Sequence, residues 1–296
     1  MIPLFPEFAP IALEQKPEVD AVLARLRPQA SEYTFTNLFG WGQVCGYALA
    51  RFGDGLLVCK QQDGKAVFLQ PLVSAGGAEA VATCLSFDRG TRIERVGEDF
   101  LSGADLRGMA IEVQEDRNNF DYVYSVPELI DLRGEKYHDK KNLLNQFVKN
   151  HPQYAFLPMT PDIVERCLGF QHEWCEEREC EKNPGLFNEH CATHRMLRHF
   201  AELRLHGGVI EIDGRIAALT IGEPLRADTY VIHIEKGMGK ISGIYQAINH
   251  DFLRHAVAGF PYVNREQDLG IPGLRKAKMT YNPVRMVKKY VITGGK

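Results

Sequence analysis

Apolar residues recur along this chain in two rhythms, and the switch between them predicts its elements. In PEVDAVLARLR, Val19, Val22, Leu23 and Leu26 return at helical spacing and mark one buried face. TFTNLFGWGQVCGYALARFG is aromatic-rich and ends in a strand. GLLVCKQ and KAVFLQPL are short apolar runs separated by Gln62-Asp63-Gly64, which predicts a hairpin. GGAEAVATCLSF reads as a helix and TRIERVG as the next strand. A further helix gathers Leu143, Leu144, Phe147 and Val148 and stops at His151-Pro152.

The second half opens with the strand YAFLPM. Thr160-Pro161 reads as an N-cap followed by proline at the first helical position. Ile163, Val164, Cys167, Leu168, Gln171, Trp174 and Cys175 follow at helical spacing, and a second helix runs roughly from Phe187 to Leu205. Three strands come next, GGVIEID, RIAALTIGE and DTYVIHIEK, the first two joined by Asp213-Gly214. GMGKISG leads into a helix with Ile244, Tyr245, Ile248, Phe252 and Ala256 on one face. The strand FPYVN, a charged cluster, a short helix and the strand RMVKKYVIT complete the chain. The order of elements repeats loosely, which predicts two related α/β halves, residues 1–150 and 151–296.

Composition narrows the class. The 296 residues are 45% hydrophobic and 25% charged, in the range of globular proteins with a sizeable core. A net charge of −3 gives no general attraction to nucleic acid or anionic lipid, so such a partner needs a local basic patch. The seven cysteines are an odd count and MIPLFPEFAP lacks a basic n-region, so reduced thiols and a cytoplasmic location are expected, free or peripheral to a membrane. The longest apolar runs are strand-sized, and no transmembrane segment is expected.

Five features carry candidate chemistry. In YVIHIEKGMGKISGIYQAIN a strand meets Gly237, Gly239 and Gly243 before a helix, with Lys236 and Lys240 flanking. Backbone N–H groups at such a turn can hold phosphate, and a plain strand-to-helix connection has the same outline. The spacing fits neither a P-loop nor a dinucleotide fingerprint. His233 and Glu235 alternate along their strand, which predicts one shared face. A carboxylate there can orient or deprotonate an amine, or simply belong to a polar outer face. In NREQDLGIPGLRKAK, a continuing strand gives Asn264, Glu266 and Asp268 one face and Arg265 and Gln267 the other. Gly270-Ile271-Pro272-Gly273 folds Arg275, Lys276 and Lys278 back toward Glu266 or Asp268. That predicts ion pairs at a strand C-terminus, where open α/β sheets bind ligands. His172, Cys175, Cys180, His190, Cys191 and His194 crowd together, but without Cys-x-x-Cys they predict no metal site. Arg133, Lys136, Lys140 and Lys141 form a basic run at a helix start, fit for phosphate contact or for solvent.

SEYTFTNLFGW, DLRGEKYHDKKNLLNQF, VIEIDGRIAALTIGE, HIEKG, GIYQAIN and NREQDLGIPGLRKAKMTYNP resemble the DUF2156 family, which is grouped with the C-terminal catalytic domain of phosphatidylglycerol lysyltransferases. The resemblance covers nearly the whole chain. It implies two tandem GNAT-like acyltransferase domains, each a mixed, mostly antiparallel sheet flanked by helices, and a distant similarity to Fem-type aminoacyltransferases. It also implies acyl or aminoacyl transfer from a charged tRNA or an acyl-CoA to an amine or hydroxyl of a small molecule, lipid or peptide, with no cofactor beyond the donor. GMGKISG occupies the place of the GNAT pyrophosphate turn.

The expectation is therefore transfer in the C-terminal half. Arg265, Lys276 and Lys278 are candidates to stabilise the oxyanion, and Glu235 or Asp268 to hold the donor's α-ammonium or orient the nucleophile. His233, Lys236, Gly237, Gly239, Lys240, Asn264, Glu266 and Arg275 are candidates for donor or substrate binding. A CoA-dependent N-acyltransferase and a non-catalytic binding protein with a degenerate GNAT site are the alternatives.

Overall fold

A computed structural model describes residues 1–295. The chain runs β1 (Ala9–Pro10), α1 (Lys16–Leu26), α2 (Phe35–Cys45), β2 (Ala48–Phe52), β3 (Gly55–Gln62), β4 (Lys65–Leu69), α3 (Gly77–Ser86), β5 (Arg92–Gly97), α4 (Glu98–Gly103) and β6 (Ile111–Glu115). It continues through β7 (Asp121–Ser125), α5 (Val126–Asp131), α6 (His138–Asn150), β8 (Ala155–Pro158), α7 (Pro161–Glu177), α8 (Pro184–Arg198) and α9 (Phe200–Leu203). Then follow β9 (His206–Ile212), β10 (Arg215–Pro224), β11 (Thr229–Gly237), α10 (Ile244–Phe252), β12 (Tyr262–Asn264), α11 (Pro272–Met279), β13 (Arg285–Val287) and β14 (Lys289–Gly294).

Among the described residues these strands form two mixed sheets, in the orders β1-β2-β3-β4-β5-β14-β6 and β13-β7-β12-β11-β10-β9-β8. Only β4–β5 and β11–β12 are parallel among the recorded pairs, so both sheets are mostly antiparallel, as the tandem GNAT-like expectation requires. Two compact units result, Met1–Asp121 with Val287–Lys296, and Tyr122–Met286. Residue 150, the boundary expected from sequence, lies at the end of α6 within the second unit.

Both Asp-Gly hairpins form. Asp63 and Gly64 (φ 53° and 72°), like Asp213 and Gly214 (φ 50° and 77°), take the left-handed backbone that lets a tight turn match the strand twist. Thr160 precedes α7, with Pro161 at its first turn. The core of the second unit packs Ile244, Ala247, Ile248 and Phe252 of α10 against Ile210, Ala218, Tyr230 and Ile232 of the sheet and against Leu144 and Phe147 of α6. That stripe was expected to extend to Ala256. Instead a π-helical stretch at Leu253–Val257 rotates the chain, burying Val257 and exposing Ala256. Among the described residues no helix is long and apolar enough to cross a membrane.

RMVKKYVIT, read as one strand, is two. β13 stays in the second sheet, and β14 inserts between β5 and β6 of the first. The cause is polar as well as apolar. Ile292 joins the first unit's core. Lys289 is fully buried, with its ammonium 2.6 Å from both Glu32 and Asp121. Asp121 also accepts hydrogen bonds from the backbone and hydroxyl of Ser31. The expectation of reduced thiols is corrected at one place: Cys175 and Cys180 form a disulfide at the end of α7.

Candidate functional site

The parallel strands β11 and β12 pair only over Thr229–Tyr262, Tyr230–Val263 and Val231–Asn264. Beyond this they diverge, for two local reasons. On β11, Ile232 and Ile234 pair with the consecutive residues Gly222 and Ile221, so His233 is the extra residue of a β-bulge. On the other chain, Glu266 adopts a left-handed φ of 55°, and its N–H is held by the Asn264 side chain at 2.8 Å, which ends β12. The gap between the strands is filled by charged side chains.

The bulge breaks the alternation that predicted one face for His233 and Glu235. Glu235 reaches Asn249 of α10 (3.0 Å) and pairs with Arg265 Nη2 (2.6 Å). His233 instead lies between Glu223 (3.0 Å) and Glu266 (2.9 Å). Burial opposes the imidazolium, but hydrogen bonds and charge from the two glutamates outweigh it and raise the His233 pKa to about 9. This exceeds the ordinary 6.5, so His233 contributes fully to stability below pH 6.5 and loses that contribution as pH rises through 9, a difference of about 3 kcal/mol. Denaturant unfolding across this range should show the decline, and His233→Gln should flatten it.

Arg265 and Glu266 were expected on opposite faces, yet both turn toward β11, because the left-handed residue cancels the pleat. The Arg265 guanidinium is stacked over Tyr281 (4.7 Å to the ring centre) and faces Tyr124 (5.7 Å). Its Nη1 and the Tyr281 hydroxyl are buried and make no hydrogen bond of ordinary geometry, although Gln246 and Arg265 both approach that hydroxyl. The Lys140 ammonium lies 4.4 Å from the centre of the same ring, and burial, then the nearby Arg265 charge, lowers its pKa. Burial raises the Tyr281 phenol, so it remains a neutral donor.

The Gly-Ile-Pro-Gly turn does fold the basic helix back. Asp268, fully buried, accepts a bidentate pair from Arg275 (2.9 Å each), the Tyr122 hydroxyl (2.5 Å) and the Gly270 N–H (2.8 Å). Lys278 donates to the main-chain carbonyls of Arg265 and Glu266. Both side chains thus hold the turn that carries Arg265. Lys276 is exposed on α11 and no described contact brings it to this group. Glu235 is thus joined to this turn through the Arg265 side chain, and Lys278 through the Arg265 and Glu266 carbonyls.

The glycine turn serves packing at two points. Gly243 has φ 80°, and a Cβ there would stand 2.4 Å from the Leu143 carbonyl oxygen of α6. Gly243→Ala is expected to lose about 2 kcal/mol or more in urea unfolding, from left-handed strain plus displacement of α6. Gly237 accepts hydrogen bonds from Trp174 (3.2 Å) and Tyr245 (3.1 Å). Gly239 and Lys240 are exposed, Gly239 beside the Arg178 guanidinium, whereas Lys236 is buried against Trp174 and Glu189.

The sequence reading missed Glu223, Asn249, Tyr122, Tyr124 and Tyr281. The DYVYS and MTYNP tyrosines were visible, but nothing local marks which one faces a guanidinium. Two surface grooves, of about 260 Å³ beside Lys141 and His250 and about 530 Å³ beside Leu101 and Val113, include neither Glu235 nor Arg265. The candidate site is a crevice occupied by its own side chains.

Residues 23–293 match the family model described as phosphatidylglycerol lysyltransferase, C-terminal. A conserved protein of unknown function from Bacteroides thetaiotaomicron is 29% identical, with a TM-score of 0.89 over 99% of each chain. L-PGS from Bacillus licheniformis shares the fold at 13% identity, with a TM-score of 0.66 over 100% of this chain and 94% of that one. An uncharacterised protein of Mycoplasmoides gallisepticum is 21% identical over 66% of this chain, and the match spans 63% of that relative's length.

Proposed function

Because the chain belongs to the phosphatidylglycerol lysyltransferase C-terminal family, we propose that its second unit is an acyltransferase that moves an aminoacyl group from aminoacyl-tRNA to an amine or hydroxyl. The observation that supports this reading is the buried Arg265 Nη1, a charged donor without a hydrogen bond of ordinary geometry, beside the Glu235 carboxylate and the Tyr281 hydroxyl. Buried donors are nearly always satisfied, and an unpaired guanidinium nitrogen is costly unless a substrate completes it.

The acceptor's nitrogen or oxygen attacks the ester carbonyl, a C–N or C–O bond forms, and negative charge develops on the carbonyl oxygen. Arg265 and Tyr281 donate to that oxygen. Collapse breaks the ester bond, and the acceptor's proton ends on the departing ribose oxygen. Glu235 pairs with the donor's α-ammonium, and Lys140 with Lys240 meets nearby phosphates. Asp268, Arg275, Lys278, Asn264, Glu266 and His233 hold the strand divergence open, while Gly237 and Gly239 shape the turn. Lys276 stays a candidate for phosphate contact from the surface. The basic run at α6 fits tRNA, and the acceptor is a small molecule, lipid or peptide.

The strand divergence followed by a glycine turn and helix also favours a second reading, in which acyl-CoA is the donor. A thermal shift separates them, since a true ligand stabilises by its occupancy. Aminoacyl-tRNA raising the melting temperature where acetyl-CoA does not supports the first reading. The reverse pattern supports the second.

A further inference from the structure

Lys236 is the one charged residue of β11 that the transfer scheme leaves unused. It is 1% exposed and faces α7 and α8, not the Glu235 crevice. Its ammonium lies 4.0 Å from the centre of the Trp174 ring and 2.9 Å from Glu189 Oε1, yet off the direction of a hydrogen bond. One helical turn before Trp174, Gln171 is fully buried with neither amide atom partnered. His190, next to Glu189, has a buried Nδ1 with no hydrogen bond of ordinary geometry although the ring approaches the Gln171 main chain, and burial followed by the Lys236 charge lowers its pKa.

Buried polar groups of β11, α7 and α8 thus gather around Trp174, with Lys236 held only by the Glu189 ion pair and the Gln171 amide making no hydrogen bond. A leucine at 236 and at 171 would pack there without desolvation cost, so packing does not explain the polar set. Ordinary folds satisfy such groups with protein, water or ligand. The chemistry of the set is specific. An ammonium over an aromatic ring and an amide N–H suit one oxyanion, and a carboxylate already sits at that position. That carboxylate belongs to Glu189, whose side chain is 34% exposed and can leave toward solvent.

We propose that the α7–α8 face of β11 binds a small carboxylate, and that Glu189 closes the site when it is empty. A ligand carboxylate displaces Glu189, takes hydrogen bonds from Lys236 Nζ and Gln171 Nε2, and lies against Trp174. This does not depend on where acyl transfer occurs.

The test uses Trp174 fluorescence in full-length Trp41→Phe protein, since the chain has two tryptophans, titrated with sodium acetate at constant ionic strength, with chloride as control. A saturable acetate response is expected. Glu189→Ala should bind acetate about tenfold or more tightly, because it removes a competitor tethered at high local concentration. Lys236→Met should weaken binding about tenfold or more. If Lys236→Met does not fold, Gln171→Leu should show a weakened response. The proposal is overturned by a response that does not saturate in Glu189→Ala, by equal responses to chloride, by unchanged affinity in the folded Lys236 or Gln171 variant, or by a crystal structure of acetate-soaked Glu189→Ala with ordered water only.

Discussion

Arg265→Lys is expected to lower acyl transfer by about 10²–10³-fold while the protein stays folded. Lysine keeps the positive charge beside Glu235 but cannot supply a second planar N–H pair. Its ammonium carries three donors on one nitrogen, so it cannot place them where Nη2 meets Glu235 Oε1 and Nη1 meets the developing oxyanion. The loss should fall on kcat rather than KM, because the missing donor acts on charge that appears only in the transition state. Steady-state transfer with the donor that gives the larger thermal shift measures it, with circular dichroism as a check on folding. A variant with unchanged kcat removes Arg265 from the chemistry and leaves it as a structural ion pair.

The largest stability effect is expected in the other unit. Lys289→Met should cost about 3–5 kcal/mol in denaturant unfolding, because two carboxylates lose their shared cation in a buried site. Burial already raises the Glu32 pKa even with Lys289 and Arg95 nearby. Asp121 keeps its Ser31 hydrogen bonds, which do not replace a charge. Glu32→Gln placed in the Lys289→Met background should recover part of the loss, since it removes one of two buried carboxylate charges that would then have only Arg95 beside them. An effect under about 1 kcal/mol, the size of an exposed ion pair, would show that the network does not anchor β14.

The parts of this fold that were legible in sequence are those with local causes. Asp63-Gly64 and Asp213-Gly214 announce hairpins because few other dipeptides accept two left-handed residues. Thr160-Pro161 announces a helix start. Gly270 to Gly273 predicted the fold-back that pairs Asp268 with Arg275. The failures have non-local causes. The bulge at His233 depends on how β11 registers with β10, which alternation along one strand cannot contain. Glu266 is left-handed although glutamate carries no preference for that state, so the strand appeared to continue. Nothing local in RMVKKYVIT marks Lys289 as buried, because its partners lie far away in the chain. The charged groups that meet at this turn were thus legible as one stretch of sequence. Which of its charges would hold the turn and which would face a substrate depended on that one backbone angle and that one extra residue.

The central claim is transfer at the divergence of β11 and β12. It is tested most directly by incubating the full chain with separate pools of labelled aminoacyl-tRNA and labelled acyl-CoA, each with a cell extract as the source of acceptor. Wild-type protein should move label from aminoacyl-tRNA into a lipid, peptide or small-molecule fraction, and Glu235→Gln should reduce that transfer at matched folding. No transfer from either pool, or equal transfer by Glu235→Gln, would contradict the account, the first outcome pointing to a binding protein that retains the fold without the reaction.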